Sequence, residues 1–168
     1  EQITPDLFIP LAEEIGLVDE FGHWVFEQAC LRAREWQAQH PGFRLSINLS
    51  ARQLEDPTLA SKFDAVLQQT GSDPSLLTLE VTETAFMRGA DLGAKVLGEL
   101  RQTGMRVVID DFGTGYASLK YLRNLPVDFV KIDGVFVKDI ANNPGDYAVV
   151  RSINEIGHYM GKKTIAEY

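Results

Sequence analysis

RVVIDDFG, residues 106–113, reads as a β-strand that ends in two adjacent acids and a glycine. Four more runs close in the same way. LSINLS (45–50) closes near Asn48, LLTLEVTE (76–83) carries Glu80, FVKIDG (129–134) carries Lys131 and Asp133, and KTIAEY (163–168) carries Glu167. From Asn48 through Glu80, Asp110 and Asp133 to Glu167, the intervals are 32, 30, 23 and 34 residues. A strand with its return helix needs roughly 30 residues. Repeating that unit makes every strand parallel and gathers all C-terminal ends on one face, where β/α barrels place their chemistry. A ring of carboxylates on that face predicts divalent cations held by oxygen.

Between these strands the sequence has helical spacing and helix stops. DLFIPLAEEIGLV (6–18) has Asp6 as its expected cap and Gly16 as its stop. Asp19 is the expected cap of the longer segment 20–40, which Pro41-Gly42 closes. Further helices are expected over 58–71, 90–104, 116–126 and 145–161, with Gly71, Gly104, Pro126 and Gly161 at their ends. LLTLEV and RVVI do not alternate cleanly, as in strands buried on both faces. Strict βα alternation suits an open doubly wound sheet or a closed barrel. Functional residues on nearly every strand, rather than at one switch point, favour the barrel. A full barrel takes about 250 residues. The expectation is therefore α/β, with residues 1–168 forming one partial TIM-like (β/α) barrel domain of about five βα units.

The chain is 45% hydrophobic and 24% charged, an ordinary composition for a globular domain. It has no apolar run of membrane-spanning length, and its first residues do not read as a signal peptide. Cys30 is the lone cysteine, which excludes a disulfide framework and fits a reducing, cytoplasmic setting. A net charge of −8 argues against polymeric nucleic acid but leaves room for a small phosphorylated substrate, since metal ions reverse the sign of an acidic pocket. His23, His40 and His158 lie far apart without metal spacing and read as surface or helix residues.

Asp110-Asp111 is the sharpest pair. Neighbours on a strand point to opposite faces, but at a strand end the turning chain can bring both carboxylates to one site. Two cations would make that pairing favourable, and a carboxylate bridging two metals suits phosphoryl transfer. The competing reading is a capping or turn acid. Gly113 and Gly115 make a loop that lets backbone approach a phosphate, though not with dinucleotide spacing. The DFG triplet stands without the other kinase motifs. Glu80 is placed to bind metal. Glu83, three residues on, reads either as an acid that hydrogen-bonds the Gly-containing loop or as a solvated cap. Asn48 offers a neutral oxygen, or is an ordinary strand-end residue. Lys131 and Asp133 share a face, either to orient a nucleophile or as a structural pair. Glu167 is a further ligand or a base. This hard-oxygen set predicts Mg²⁺ or Mn²⁺ over zinc; Ca²⁺ would occupy such a site without supporting chemistry.

FIPLAEEIGLV, SINLSARQL, LEVTET, VVIDDFGTGYASLKYLRNLPVDFVKIDG and TIAE together resemble the EAL domain family, the bacterial cyclic-di-GMP phosphodiesterases. The resemblance extends over essentially the whole chain, and the run from Val107 to Gly134 is its most specific part. It implies a TIM-like barrel with two Mg²⁺ or Mn²⁺ ions. Asn48, Glu80 and Asp110 match ligands of the first ion. Asp110 and Asp111 match the bridging and second-ion acids, with Asp133 near the second ion. Lys131 matches the lysine that contacts the attacking water, and Glu167 a second-ion ligand or base. Glu83 matches the acid that anchors the loop of Gly113 and Gly115. The implied reaction opens cyclic-di-GMP to linear pGpG. Homodimerisation, attached sensory or GGDEF-type domains and no membrane contact from this segment are also implied, and the parent is expected to be cytoplasmic unless anchored elsewhere.

The family's Glu-Ala-Leu strand would precede Glu1, and its later strands, with the QGY glutamine, would follow Tyr168. That Glu-Ala-Leu strand carries a first-ion glutamate and a substrate-binding arginine, so little activity is expected of residues 1–168 alone. The alternative for the parent is a receptor that binds cyclic-di-GMP without cleaving it.

Overall fold

A computed structural model describes residues 3–115, 123 and 125–167. Its strands are β1 (Leu45–Asn48), β2 (Leu77–Thr82), β3 (Arg106–Phe112), β4 (Phe129–Ile132) and β5 (Lys163–Ala166). They form one parallel sheet in the order β1-β2-β3-β4-β5. Each strand lies beside its predecessor, with no reversal of order. A doubly wound sheet would have a switch point; this sheet winds one way, as a barrel does. Among the described residues the barrel is not closed, and β1 and β5 are its two edges.

The helices are α1 (Pro5–Glu14), α2 (Val18–Gln39), α3 (Leu59–Thr70), α4 (Glu83–Met87), α5 (Ala90–Gln102), α6 (Gly134–Val137) and α7 (Pro144–Tyr159). None of the described helices is long and apolar enough to cross a membrane. Two starts differ from the sequence reading. α1 begins at Pro5, which is pre-set for a first helical turn, so Asp6 lies inside that turn rather than capping it. α2 begins at Val18, which puts Asp19 in the first turn, where a carboxylate complements the helix dipole. Gly71 ends α3 with φ 65°, a left-handed conformation that glycine adopts without a Cβ penalty. The helix expected over 116–126 lies outside the described residues, save for Arg123, Leu125 and Pro126.

The core lies between the convex side of the arc and the helices. Leu77, Leu79 and Val81 of β2, Val107 and Ile109 of β3, and Val130 and Ile132 of β4 are buried there. Phe26 and Cys30 of α2, Phe63 of α3, and Val96, Leu97 and Leu100 of α5 belong to the same cluster. Burial pushes the Cys30 thiol pKa up, as suits a packing residue. Within β2 the side chains alternate: Leu77, Leu79 and Val81 face this core, leaving Thr78 and Glu80 to the concave side, while Leu76 precedes the strand.

At the N-terminal ends of the strands, Asp128 knits three neighbours together. Its carboxylate accepts from the Val107 amide (2.9 Å) and from Arg101 (2.6 Å), and its carbonyl accepts from the Lys163 amide (3.1 Å). The buried Lys162 ammonium donates to the Leu125 carbonyl at 2.6 Å. Barrels invest this end in stability and keep the opposite end for chemistry.

Candidate active site

Period-two alternation carries Asn48, Glu80, Asp110 and Lys131 to the concave side, near the C-terminal ends of β1 to β4. Asn48 lies opposite Glu80 in the β1–β2 register, and Thr82 opposite Asp110 in the β2–β3 register. Lys131 is the hub. Its Nζ donates to Glu80 at 3.1 Å, to Asp110 at 3.3 Å and to Glu167, just past β5, at 3.1 Å. The Lys131, Glu80 and Asp110 side chains are only 14%, 11% and 15% exposed, whereas Glu167 is 49% exposed. Burial alone would lower the lysine pKa. Hydrogen bonds to Glu80 and Glu167, with the charges of Glu80 and Asp110, outweigh it and leave the ammonium more basic than an ordinary lysine.

Asp111 joins this group through a break in the strand. The β3–β4 register shifts between Ile109 and Phe112, and Asp111 has φ 54°, the one positive φ at a non-glycine position among the described residues. Aspartate tolerates the left-handed region better than most residues. The bulge undoes the simple alternation of β3. Asp110 Oδ1 accepts the Asp111 amide at 3.0 Å. The Asp111 carboxyl is raised above its ordinary pKa, first by burial and then by Asp110, Asp133 and Glu167, while Lys131 opposes the shift. Two adjacent acids thus feel one field.

Behind the bulge, Glu83 is 3% exposed at the start of α4. Its Oε2 accepts the amides of Gly113 (2.9 Å) and Gly115 (3.4 Å). A Cβ on Gly115 would stand 2.5 Å from Glu83 Oε1, so glycine is required for this approach. At Gly113 φ is 107°, and a Cβ would meet Phe136 at 3.0 Å. Asp133 sits past the end of β4, where its Oδ1 accepts the Val135 amide at 2.6 Å and caps α6. One of its oxygens therefore has a structural task.

Sequence reading missed a polar pair behind Asn48. Ser50 Oγ accepts the Gln53 amide at 3.3 Å, and Gln53 Oε1 accepts the Ser50 amide at 3.0 Å. The spacing S-x-x-Q is the signature that would have shown it.

Among the described residues, no group of three or more His, Cys, Asp or Glu converges closely enough to hold a metal as it stands. The donor chemistry nevertheless fits hard cations. Carboxylates from β2, β3 and the end of β5 already gather around one positive charge, the Lys131 ammonium. Asn48, Asp111 and Asp133 add oxygen donors at the same end of the sheet.

The family model described as EAL domain matches residues 1–168. The chain is 40% identical over 166 residues to the bifunctional diguanylate cyclase/cyclic di-GMP phosphodiesterase MucR of Pseudomonas aeruginosa, covering 98% of this chain and 24% of MucR. It is 36% identical over 165 residues to the cyclic di-GMP phosphodiesterase PdeR of Escherichia coli, covering 98% of this chain and 25% of PdeR. The chain thus spans about a quarter of the length of these curated relatives. The solved PaMucR phosphodiesterase in complex with c-di-GMP superposes with a TM-score of 0.88 at 39% identity, covering 98% of this chain and 67% of that one. The Xanthomonas citri FimX EAL domain, at 24% identity and TM-score 0.88, shares the fold.

Proposed function

Because this chain belongs to the EAL domain family, we propose that the protein carrying it hydrolyses one phosphodiester bond of cyclic-di-GMP, giving linear pGpG, with two Mg²⁺ or Mn²⁺ ions. The observation that carries this reading is the Lys131 ammonium held by carboxylates from β2, β3 and the residue just past β5, at the C-terminal end of the sheet. The phosphodiesterase relatives and the c-di-GMP complex of a 39% identical structure support it.

Asn48, Glu80 and Asp110 would hold the first ion; Asp110, Asp111 and Glu167, with Asp133 nearby, would hold the second. Ions bound there would supply Lewis acidity and neutralise charge on the phosphodiester. Lys131, held more basic than usual, stays protonated at neutral pH. It therefore donates, and orients the attacking water rather than taking its proton. Glu167, half-exposed and bonded to Lys131, would act either as that second-ion ligand or as the base that takes the proton. In-line attack forms the new P–O bond as the bond to the ribose 3′-oxygen breaks. Glu83 holds the backbone of Gly113 and Gly115 in one position beside the acids.

The setting we propose is bacterial second-messenger signalling in the cytoplasm. Sensory or GGDEF-type domains would occupy the rest of the chain, and two copies would pair as a homodimer. The test is product analysis with the full-length protein. Linear pGpG that forms with Mg²⁺ or Mn²⁺ and stops with a chelator supports the reading. Binding of cyclic-di-GMP without any product sinks it.

A further inference from the structure

Among the residues assigned to the metal centre, Asn48 alone comes from β1. It is the last residue of β1, an edge strand of the described sheet. Beyond it, the Leu49 amide donates to the Glu80 carbonyl at 2.8 Å. The next residue enters the reciprocal Ser50–Gln53 pair, whose amides and side chains satisfy one another. Gln53 is 4% exposed and packs beside Gly22, inside α2.

Gly22 has no reason of its own to be in a helix, where alanine is better. Gln53 supplies the reason. A Cβ at position 22 would stand 2.3 Å from Gln53 Nε2 and 2.7 Å from its Cδ. Those atoms end a flexible side chain, so alanine is accommodated if the amide swings away. That amide carries Oε1, the acceptor for the Ser50 amide. Alanine at 22 would therefore open the Ser50–Gln53 pair while favouring α2.

We propose that Gln53, seated on Gly22 and closed onto Ser50, is a positioning residue that holds the backbone after β1 so that Asn48 presents its side chain to the divalent ion. The proposal rests on the metal-dependent reading above. Supporting groups behind a ligand typically change metal affinity by about 10–100-fold when removed.

The test titrates Mn²⁺ into the full-length protein and follows both the thermal midpoint and the Mn²⁺ concentration that half-saturates hydrolysis. Gly22→Ala and Gln53→Met should each raise that concentration about tenfold. Gly22→Ala should keep or raise the midpoint in chelator, which separates positioning from folding. Gln53→Glu keeps a side-chain oxygen to accept the Ser50 amide and should stay near wild type. In an Asn48→Ala background, Gln53→Met should add nothing, because it acts through Asn48. An unchanged Mn²⁺ requirement in Gly22→Ala and Gln53→Met would overturn the proposal. So would a full Gln53→Met effect in the Asn48→Ala background. A wild-type protein that responds to Mn²⁺ in neither readout would overturn the metal-dependent reading, and this proposal with it.

Discussion

Glu80 and Lys131 are 51 positions apart in sequence and 3.1 Å apart in space. Two strands and the register between them make that contact, with β3 standing between β2 and β4. The ammonium balances carboxylates that would otherwise repel one another in a partly buried setting. Charge balance without metal therefore rests on the same side chain that the proposed mechanism uses to orient the attacking water.

Lys131→Met should separate the two roles. Removing the ammonium leaves Glu80 and Asp110 facing each other with no cation, which should cost about 2 kcal/mol of stability in chelator. Mn²⁺ should recover more of the thermal midpoint in the variant than in wild type. Hydrolysis should fall by at least about 100-fold even at saturating metal. Denaturation curves with and without Mn²⁺ check the first two outcomes, and product formation checks the third.

Glu83→Ala should strip the amides of Gly113 and Gly115 of a buried acceptor. The expected loss is about 2 kcal/mol by urea denaturation. Gly115→Ala attacks the same contact from the other side, since its Cβ would meet Glu83 Oε1 at 2.5 Å. It should lower hydrolysis with a smaller stability loss than Glu83→Ala. Equal stability losses with unchanged hydrolysis in both variants would show that the contact only holds the fold.

Asp111→Asn should stabilise the metal-free protein. The folded-state pKa of Asp111 is raised above the ordinary 3.8. Between 3.8 and that raised value the folded state holds more proton than the unfolded chain, so this group's contribution to stability falls as pH rises. Above the window the penalty is complete. The asparagine variant should melt higher than wild type at pH 7 in chelator, and the difference should shrink on acidification through the window. Its hydrolysis at pH 7 should be lost, and melting curves across pH check the stability half.

The strand ends were the most legible part of the molecule. Apolar runs with acids at even intervals report parallel strands and a shared chemical face, and Glu80, Asp110, Lys131 and Glu167 meet there. What stayed hidden depends on local backbone detail. The short helices α4 and α6 begin at residues whose neighbours act as caps: Thr82 accepts the Ala85 amide at 3.2 Å, and Asp133 accepts that of Val135. Five-residue and four-residue helices carry too little periodicity to register as patterns. The left-handed Asp111 was hidden for a related reason, since a bulge changes the direction of a side chain without changing residue types. Asp128 drew no notice because its contacts with Val107 of β3 and Lys163 of β5 come from the register, which is non-local.

The most direct test is the turnover of cyclic-di-GMP by the full-length protein at saturating Mn²⁺, beside its Asp110→Asn variant. The two-metal account predicts linear pGpG from wild type and a loss of at least about 100-fold in the variant, whose fold should remain intact because Asp110 is one of three partners of Lys131. Turnover that survives Asp110→Asn, or cyclic-di-GMP bound by wild type and never cleaved, would contradict it.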